Sequence, residues 1–294
     1  MELGKARRAI QAAVSLAANS YVIGFLKGKI YRGSLKNLCV PGLNCYSCPG
    51  ALFSCPLGGV QGVIGSRQYQ LSLFFIGFFM AVGALCGRFV CGFLCPFGFL
   101  QELIHKIPSK KIRNFKGDMP LRYLKYAVLV LFVLLLPMFA VDAFGQGEAW
   151  FCKYICPAGT LEGGVILPLL NQGLRAAIGA LYRWKVGILV ALLLLSIAIY
   201  RPFCKYLCPL GAIYGLFNRV ALLRYRVDQE RCTQCGACQR ACQMGVDITK
   251  GMHLSECIFC GDCRAACKAG AISFRAARGK KTGDAINFKR DAGI

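Results

Sequence analysis

Residues 186–211 decide the fold, and they read VGILVALLLLSIAIYRPFCKYLCPLG. The stretch begins as an apolar run and passes directly into a Cys-x3-Cys-Pro-x-Gly motif at Cys204 and Cys208. A helix of about 20 mostly apolar residues is long enough to cross the hydrocarbon core of a bilayer. The sequence therefore predicts a membrane-spanning helix that ends beside two thiols.

Four stretches of the chain are long and apolar enough to be membrane spans. They are residues 9–28, 70–90, 123–144 and 182–200. The first contains Gln11 and Asn19, which we expect to hydrogen-bond to neighbouring helices, with a quinone site as the alternative. A secretory leader that ends near Ser15, Leu16 and Ala17 is another interpretation of the same stretch.

Composition and charge favour a membrane protein with a fixed orientation. Hydrophobic residues make up 56% of the chain, and Lys and Arg outnumber Asp and Glu by 36 to 13. The basic residues flank the apolar stretches and do not form a nucleic-acid-binding tract. More of them lie on the side of the amino-terminal head and the carboxyl-terminal module. The positive-inside rule thus predicts a multi-pass protein of the cytoplasmic (inner) membrane, with its amino terminus and carboxyl-terminal module in the cytoplasm.

Two runs of cysteines near the carboxyl terminus share one spacing. Cys232 begins a Cys-x2-Cys-x2-Cys-x3-Cys run that ends at Cys242, and Cys257 begins a second run that ends at Cys267. In bacterial ferredoxins three thiolates of each run bind one [4Fe-4S] cluster, and the fourth binds the other cluster. The expected ligand sets are Cys232, Cys235, Cys238 and Cys267 for the first cluster, and Cys257, Cys260, Cys263 and Cys242 for the second.

Zinc is the alternative metal for these runs, but zinc sites usually combine two Cys-x2-Cys pairs and not a triple with a distant fourth cysteine. The spacing therefore predicts a small α+β domain of the bacterial two-[4Fe-4S] ferredoxin type at residues 223–277. A flexible basic tail at residues 278–294 is expected to follow it.

The remaining cysteines lie in residues 1–222, where a second motif repeats. The form Cys-x3-Cys-Pro-x-Gly occurs at Cys91 and Cys95, at Cys152 and Cys156, and at Cys204 and Cys208, while Cys55-Pro56-Leu57-Gly58 keeps its second half. On the predicted topology the copies alternate between the outer and the inner face. This order predicts a membrane all-α domain at residues 1–222, a four-helix transmembrane bundle built from two tandem helix-pair repeats.

A two-fold axis between the repeats would bring equivalent motifs together. On the inner side the expected ligands of one iron-sulfur cluster are Cys91, Cys95, Cys204 and Cys208. On the outer side they are Cys152, Cys156, Cys55 and Cys48, with Cys45 as the alternative to Cys48. Cys39, Cys45 and Cys86 are then left over. Buried thiols that fill space are the alternative for the inner set, and disulfides are the alternative for the outer set.

With these motifs the chain resembles the NapH/MauN/NosR-type membrane polyferredoxins, which combine several spans, Cys-x3-Cys-Pro motifs and a carboxyl-terminal bacterial-type ferredoxin. The resemblance implies electron exchange between the quinone pool and a redox partner, as one subunit of a larger respiratory or assembly system. The third full motif at Cys152 and Cys156 and the cysteine-rich first loop depart from the family pattern.

No other part of the chain has the pattern of a catalytic site. There is no dinucleotide fingerprint and no P-loop, and the two histidines, His105 and His253, both fall outside the predicted spans, which excludes bis-histidine haem inside the bilayer. We therefore expect an electron-transfer subunit of a larger oxidoreductase that relays electrons between a cytoplasmic ferredoxin module and the quinone pool or an extracytoplasmic partner. The alternative is an assembly factor that reduces a metal or a thiol during maturation of a partner respiratory complex.

Overall fold

A computed structural model describes most of the chain. The described residues are 2–66, 73–113, 115, 117–142, 146–170, 172–175, 178–251 and 254–276. The predicted basic tail at residues 278–294 and His253 lie outside them.

The part of the chain before the ferredoxin runs is helical. Its longer helices are Glu2–Ala18, Pro56–Ile64, Leu73–Cys86, Pro96–His105, Asp118–Phe139, Pro157–Leu170 and Ala180–Ala198. Its shorter helices are Ile23–Lys27, Ser34–Asn37, Phe89–Phe93, Phe151–Ile155, Gln172–Arg175, Pro202–Tyr206 and Pro209–Phe217.

Three stretches are long and apolar enough to cross a membrane: Gly4–Lys27, Asp118–Phe139 and Ala180–Ala198. They coincide with the first, third and fourth predicted spans. The second predicted span, 70–90, is described only as the helix Leu73–Cys86, which is shorter than a span requires, and residues 67–72 lie outside the description. The described residues thus contain three candidate spans where the sequence predicts four.

Each of the four Cys-Pro-x-Gly copies begins a new helix. Pro56, Pro96, Pro157 and Pro209 each occupy the start of a helix, where the missing N–H costs no hydrogen bond. The preceding cysteine is extended in all four copies, because proline disfavours helical geometry in the residue before it. Each copy therefore holds its second cysteine at a sharp turn into a helix.

The first helix packs against the helices of the second motif copy. Arg7 is 6% exposed and its Nη1 donates to Glu102 Oε1 at 2.7 Å and to the carbonyl of Gly92 at 3.3 Å. This contact ties the first helix to the second motif copy.

The two polar residues of the first stretch do not bond to neighbouring helices. Asn19 donates to the carbonyl of Ser15 in its own helix, and Gln11 is 1% exposed with no hydrogen-bond partner for its side chain among the described residues. The prediction of interhelical hydrogen bonds from Gln11 and Asn19 is therefore wrong.

The ferredoxin module has two short strands and two short helices. The strands Leu223–Val227 and Ile272–Ala276 pair antiparallel, and the helices are Ala237–Ala241 and Asp262–Ala266, with a 3-10 turn at Leu254–Glu256. Its two cysteine runs have similar backbone conformations at one position. Gln234 and Phe259 occupy equivalent places in the two runs, and both have positive φ. Such left-handed positions allow a loop to wrap closely around a bound group.

Candidate functional site

The four inner cysteines line one pocket. Cys91, Cys95, Cys204 and Cys208 surround it, and each is at most 7% exposed. The rest of the wall is apolar and comes from Pro41, Gly42, Leu43, Val90, Phe97, Phe203, Leu210 and Gly211. All nineteen cysteines of the chain are free thiols in the structure, so these four are available to an iron-sulfur cluster.

Two arginines link the inner motif copies, because the side chain of each one bonds to the opposite copy. Arg88 and Arg201 each stand three residues before the first cysteine of their motif, and both are 0% exposed. Arg88 Nη2 donates to the carbonyl of Cys204 at 3.0 Å, and Arg201 Nη1 donates to the carbonyl of Cys91. Each guanidinium therefore holds the first cysteine of the opposite half.

The motif glycine makes room for the guanidinium in the inner copies. A Cβ on Gly98 would lie 2.9 Å from Arg201 Nη1, and a Cβ on Gly211 would lie 3.2 Å from Arg88 Nη2. In the outer copies a Cβ on Gly159 would lie 2.9 Å from Cys45 Sγ, whereas one on Gly58 would meet nothing within 4 Å. Three of the four motif glycines are thus required by a close neighbour.

Three buried carboxylates beside the inner pocket each bind two cations. Glu102 binds Arg7 and Arg201, Asp118 binds Arg122 and Lys205, and Glu256 binds Arg88 and Lys125. Each group carries a net charge of +1, and none of the side chains is more than 7% exposed. Buried charge that is not balanced costs several kcal/mol in desolvation. The surroundings of the pocket therefore favour an anion inside it.

These residues fit an iron-sulfur cluster. A [4Fe-4S] cluster with four thiolate ligands is an anion, which the surplus positive charge would balance. The Nε–H groups of Arg88 and Arg201 are also buried without a hydrogen-bond partner among the described residues, and cluster sulfurs would be acceptors for them. A single metal ion fits less well, because no three His, Cys, Asp or Glu side chains in the described chain are close enough to share one. A cluster of four irons holds its thiolates further apart than one ion does.

A glutamine holds one cysteine sulfur in the inner and in the outer site. Gln101 Nε2 donates to Cys204 Sγ at 3.3 Å, and Gln61 Nε2 donates to Cys152 Sγ at 3.2 Å. Both side chains are 0% exposed, and each Oε1 accepts from the backbone N–H that precedes the cysteine, that of Phe203 or Phe151. The two sites are therefore built on one plan.

Sequence reasoning missed these arginines and glutamines, although two signals mark them. The inner motif extends to Arg-x2-Cys-x3-Cys-Pro-x-Gly in both halves, and Cys55 and Cys95 both begin Cys-Pro-x4-Gln.

The outer cysteines line a cavity of about 900 Å³. Its wall includes Cys55, Cys152, Cys156, Cys45 and Cys39. Cys48 is absent from this wall. It is 1% exposed, and its Sγ lies 3.6 Å from the carbonyl oxygen of Glu162. The structure thus places Cys45, the alternative fourth ligand, in the same cavity wall as Cys55, Cys152 and Cys156. Cys48 does not line this cavity.

The first loop connects the outer and the inner pockets. Gly42 lines the inner pocket, Asn44 and Cys45 line the outer cavity, and Leu43 lines both. A Cβ on Gly42 would lie 3.2 Å from Cys95 Cα, so the loop reaches the inner motif itself. The two pockets therefore share Leu43 in their walls.

The second ferredoxin set lies in the interior, and the first set faces outward. Burial raises the pKa of Cys257 to about 11 and of Cys263 to about 12, and the neighbouring Cys242 adds to both shifts. Cys242, Cys257 and Cys260 pack against the core that contains the inner cysteines, whereas Cys235 is exposed. Because iron binds the thiolate form, loading this set must release protons.

The second ferredoxin run rests directly on the inner motif. Arg88 Nη1 donates to the carbonyl of Ser255 at 2.9 Å, and Asn218 Nδ2 donates to the carbonyl of Cys257 at 2.7 Å. A Cβ on Gly92 would lie 2.1 Å from the Ile258 carbonyl oxygen, so only glycine permits this approach. The cysteines of one ferredoxin set and of the inner pocket are thus neighbours across a single layer of backbone.

Family comparisons agree with these motifs. A model described as a 4Fe-4S binding domain matches residues 69–114, 125–173 and 183–227, and a second model of that description matches residues 225–246. The first three matches contain the three complete Cys-x3-Cys-Pro-x-Gly copies, and the fourth contains the first ferredoxin run. No solved structure matches the chain significantly.

Several proteins are similar in sequence to this chain. It is 30% identical over 207 residues to the uncharacterized protein MJ0750 of Methanocaldococcus jannaschii, which covers 67% of this chain and 76% of that protein. It is 32% identical to the methylamine utilization ferredoxin-type protein MauN of Paracoccus denitrificans, over 56% of this chain and 50% of MauN. It is 27% identical to the putative electron transport protein YccM of Escherichia coli, over 65% of this chain and 51% of YccM.

The chain thus spans about half the length of MauN and of YccM. Its repeated Cys-Pro motifs, its 4Fe-4S domain matches and these relatives together show that the chain belongs to the NapH/MauN/NosR-type polyferredoxins, iron-sulfur proteins of electron transport.

Proposed function

We propose that this protein conducts single electrons through four clusters arranged in series, between a cytoplasmic ferredoxin module and the outer side of the membrane. The observation that carries the proposal is the contact between the second ferredoxin run and the inner pocket, through Arg88, Asn218 and Gly92. Electrons tunnel efficiently only over short distances, so neighbouring ligand sets favour a relay.

The order of the relay follows from burial. The set that includes the exposed Cys235 is the entry or exit point for a soluble partner. The set that includes Cys257 comes next, followed by the inner pocket and the outer cavity. Leu43, which lines both of the last two spaces, supports a short final step.

Each step has a proposed ligand set. We assign Cys232, Cys235, Cys238 and Cys267 to the first ferredoxin cluster and Cys257, Cys260, Cys263 and Cys242 to the second. The inner cluster takes Cys91, Cys95, Cys204 and Cys208, and the outer cluster takes Cys55, Cys152, Cys156 and Cys45. Cys45 replaces Cys48 in the outer set because Cys45 lines the outer cavity and Cys48 does not.

The membrane placement is part of the same proposal. Two tandem repeats contribute four spans, the second of which includes the helix Leu73–Cys86. The amino terminus and the ferredoxin module are cytoplasmic, as the distribution of basic residues favours. The chain then works as a subunit of a larger redox complex.

The outer redox partner is a quinone or an extracytoplasmic redox protein. The outer cavity, at about 900 Å³, has room for a ligand or a protein side chain beside the cluster. Gln11, whose buried amide has no partner among the described residues, supports a quinone near the first helix as the alternative position.

A second candidate function is the reduction of a metal or a thiol during assembly of a partner complex. Cys39 favours it, because this thiol lines the outer cavity and is not needed as a cluster ligand.

Rapid mixing of the purified, cluster-loaded protein with a reduced quinol tests the two functions. The relay to the quinone pool predicts that cluster absorbance bleaches within the turnover time. Inert quinol together with metal-dependent reoxidation of the reduced protein would favour the assembly role. Replacing Cys39 with Ser is the matched variant, since it should leave the reduction of the clusters by quinol unchanged and abolish only the assembly reaction.

A further inference from the structure

We infer that Arg88 and Arg201 are positioning residues that raise the reduction potential of the inner cluster above that of the outer cluster. The inference rests on the proposed inner cluster, and it adds a direction to the relay. Reduction adds one electron to the cluster and moves no proton, so a fixed positive charge nearby stabilises the reduced form.

The first support is the reciprocal geometry of the two arginines. Each guanidinium is anchored on one side by a carboxylate, Glu256 for Arg88 and Glu102 for Arg201, at 2.7 and 2.9 Å. On the other side each reaches the first cysteine of the opposite motif. The cations are thus held in place before any cluster binds, at no cost in reorganisation when the electron arrives.

The second support is the set of donors that remain free. The Nε–H groups of Arg88 and Arg201 are buried and have no acceptor in the described protein. Buried donors without acceptors are rare in proteins. Sulfur atoms of a cluster in the pocket would accept them, and hydrogen bonds to sulfur raise cluster potentials.

The third support is the contrast with the outer site. Ala149 stands three residues before Cys152, in the place that Arg88 and Arg201 hold in the inner copies. The lysine that follows Cys152, Lys153, is bound to Glu148 at 2.5 Å and is partly exposed. The outer site shares the glutamine plan of the inner site but has a lysine in place of the guanidinium pair, since Lys185 Nζ donates to the carbonyl of Cys152 at 3.1 Å in a partly buried contact. The two buried guanidinium groups of the inner site also offer Nε–H donors without a partner, and they therefore favour reduction of the inner cluster over the outer one.

The test is an EPR-monitored redox titration of the full-length, cluster-loaded protein. Arg201→Gln should lower the equilibrium constant for reduction of the inner cluster about tenfold, which is about 59 mV for one electron. Arg201→Lys keeps the charge and should restore most of the potential. The reduction potentials of the outer cluster and of the ferredoxin clusters, measured in the same sample, should not change.

A glycine pair provides variants that leave the arginines intact. Gly98→Ala places a methyl group 2.9 Å from Arg201 Nη1 and should lower the inner potential, whereas Gly58→Ala meets nothing within 4 Å and should not.

An unchanged inner potential in Arg201→Gln, with full iron content, would overturn the inference. The inference would also be overturned if the Gln and Lys variants lost equal amounts of the inner cluster while the remaining inner cluster kept the wild-type potential. That result is expected from a purely structural role. A wild-type protein that shows no inner centre at all would instead overturn the proposed function.

Discussion

Gln61 and Gln101 show how one residue type serves two redox sites. Each amide donates to a cysteine sulfur and accepts from the backbone beside it. Both glutamine side chains are 0% exposed, so water does not compete for their amide groups. The donor to sulfur stabilises the more negative, reduced form of a cluster, and the acceptor fixes the turn that carries the cysteine.

At this scale we predict that Gln101→Leu lowers the potential of the inner cluster and leaves the outer one unchanged. The loss of the N–H donor to Cys204 Sγ destabilises the reduced cluster, and the Phe203 N–H left without its acceptor costs about 1–3 kcal/mol of stability. Redox titration and chemical denaturation measure the two effects. Gln61→Leu is the matched control, and it should shift only the outer centre. Equal shifts of both centres in either variant would contradict the assignment.

The short helix Phe89–Phe93 is the element on which the ferredoxin module rests. Its Gly92 lies against the Ile258 carbonyl, and Phe89 stacks at 6.3 Å on Phe274 of the second ferredoxin strand. The module is therefore seated on the motif that supplies two of the inner cysteines, and it is not a loosely tethered domain.

We predict that Gly92→Leu separates the ferredoxin module from the inner pocket. A Cβ at this position would overlap the Ile258 carbonyl oxygen, and such overpacking costs about 1–3 kcal/mol. Iron content should remain near wild type, while electron transfer between the ferredoxin clusters and the inner cluster slows, as measured by rapid freeze-quench EPR. Gly77→Leu in the helix Leu73–Cys86 is the control, because a Cβ there meets nothing within 4 Å. Transfer at the wild-type rate in Gly92→Leu would argue against this contact as the route.

The elements also show what sequence can and cannot predict. The Cys-Pro copies predict four converging inner thiols because motif, spacing and symmetry all agree, and the structure does bring Cys91, Cys95, Cys204 and Cys208 together. No repeated spacing distinguishes Cys45 from Cys48 in the sequence. Both lie in an irregular loop whose path depends on tertiary contacts. The sequence does not mark Arg201 as a site residue because a basic residue at a span end is already explained by membrane orientation, and Arg88 lies inside the predicted span 70–90.

At the scale of the whole molecule, the first loop sets the distance between the outer and the inner cluster of the proposed relay. A relay with clusters at opposite faces would have to cross much of a hydrocarbon core that is about 30 Å thick. The loop shortens this path because Gly42 lies at the inner pocket and Cys45 at the outer cavity. Tyr214, which is 0% exposed, belongs to the same buried core as Cys55, Cys91 and Cys208.

The central claim is that the inner thiols hold a cluster in contact with the ferredoxin module. Anaerobic iron and sulfide analysis with EPR, on the wild type and on the Cys204→Ala plus Cys208→Ala variant, tests it most directly. The account predicts that the variant loses one paramagnetic centre and about four irons per chain, while the ferredoxin signals persist. Unchanged iron content and an unchanged set of EPR signals in that variant would contradict it.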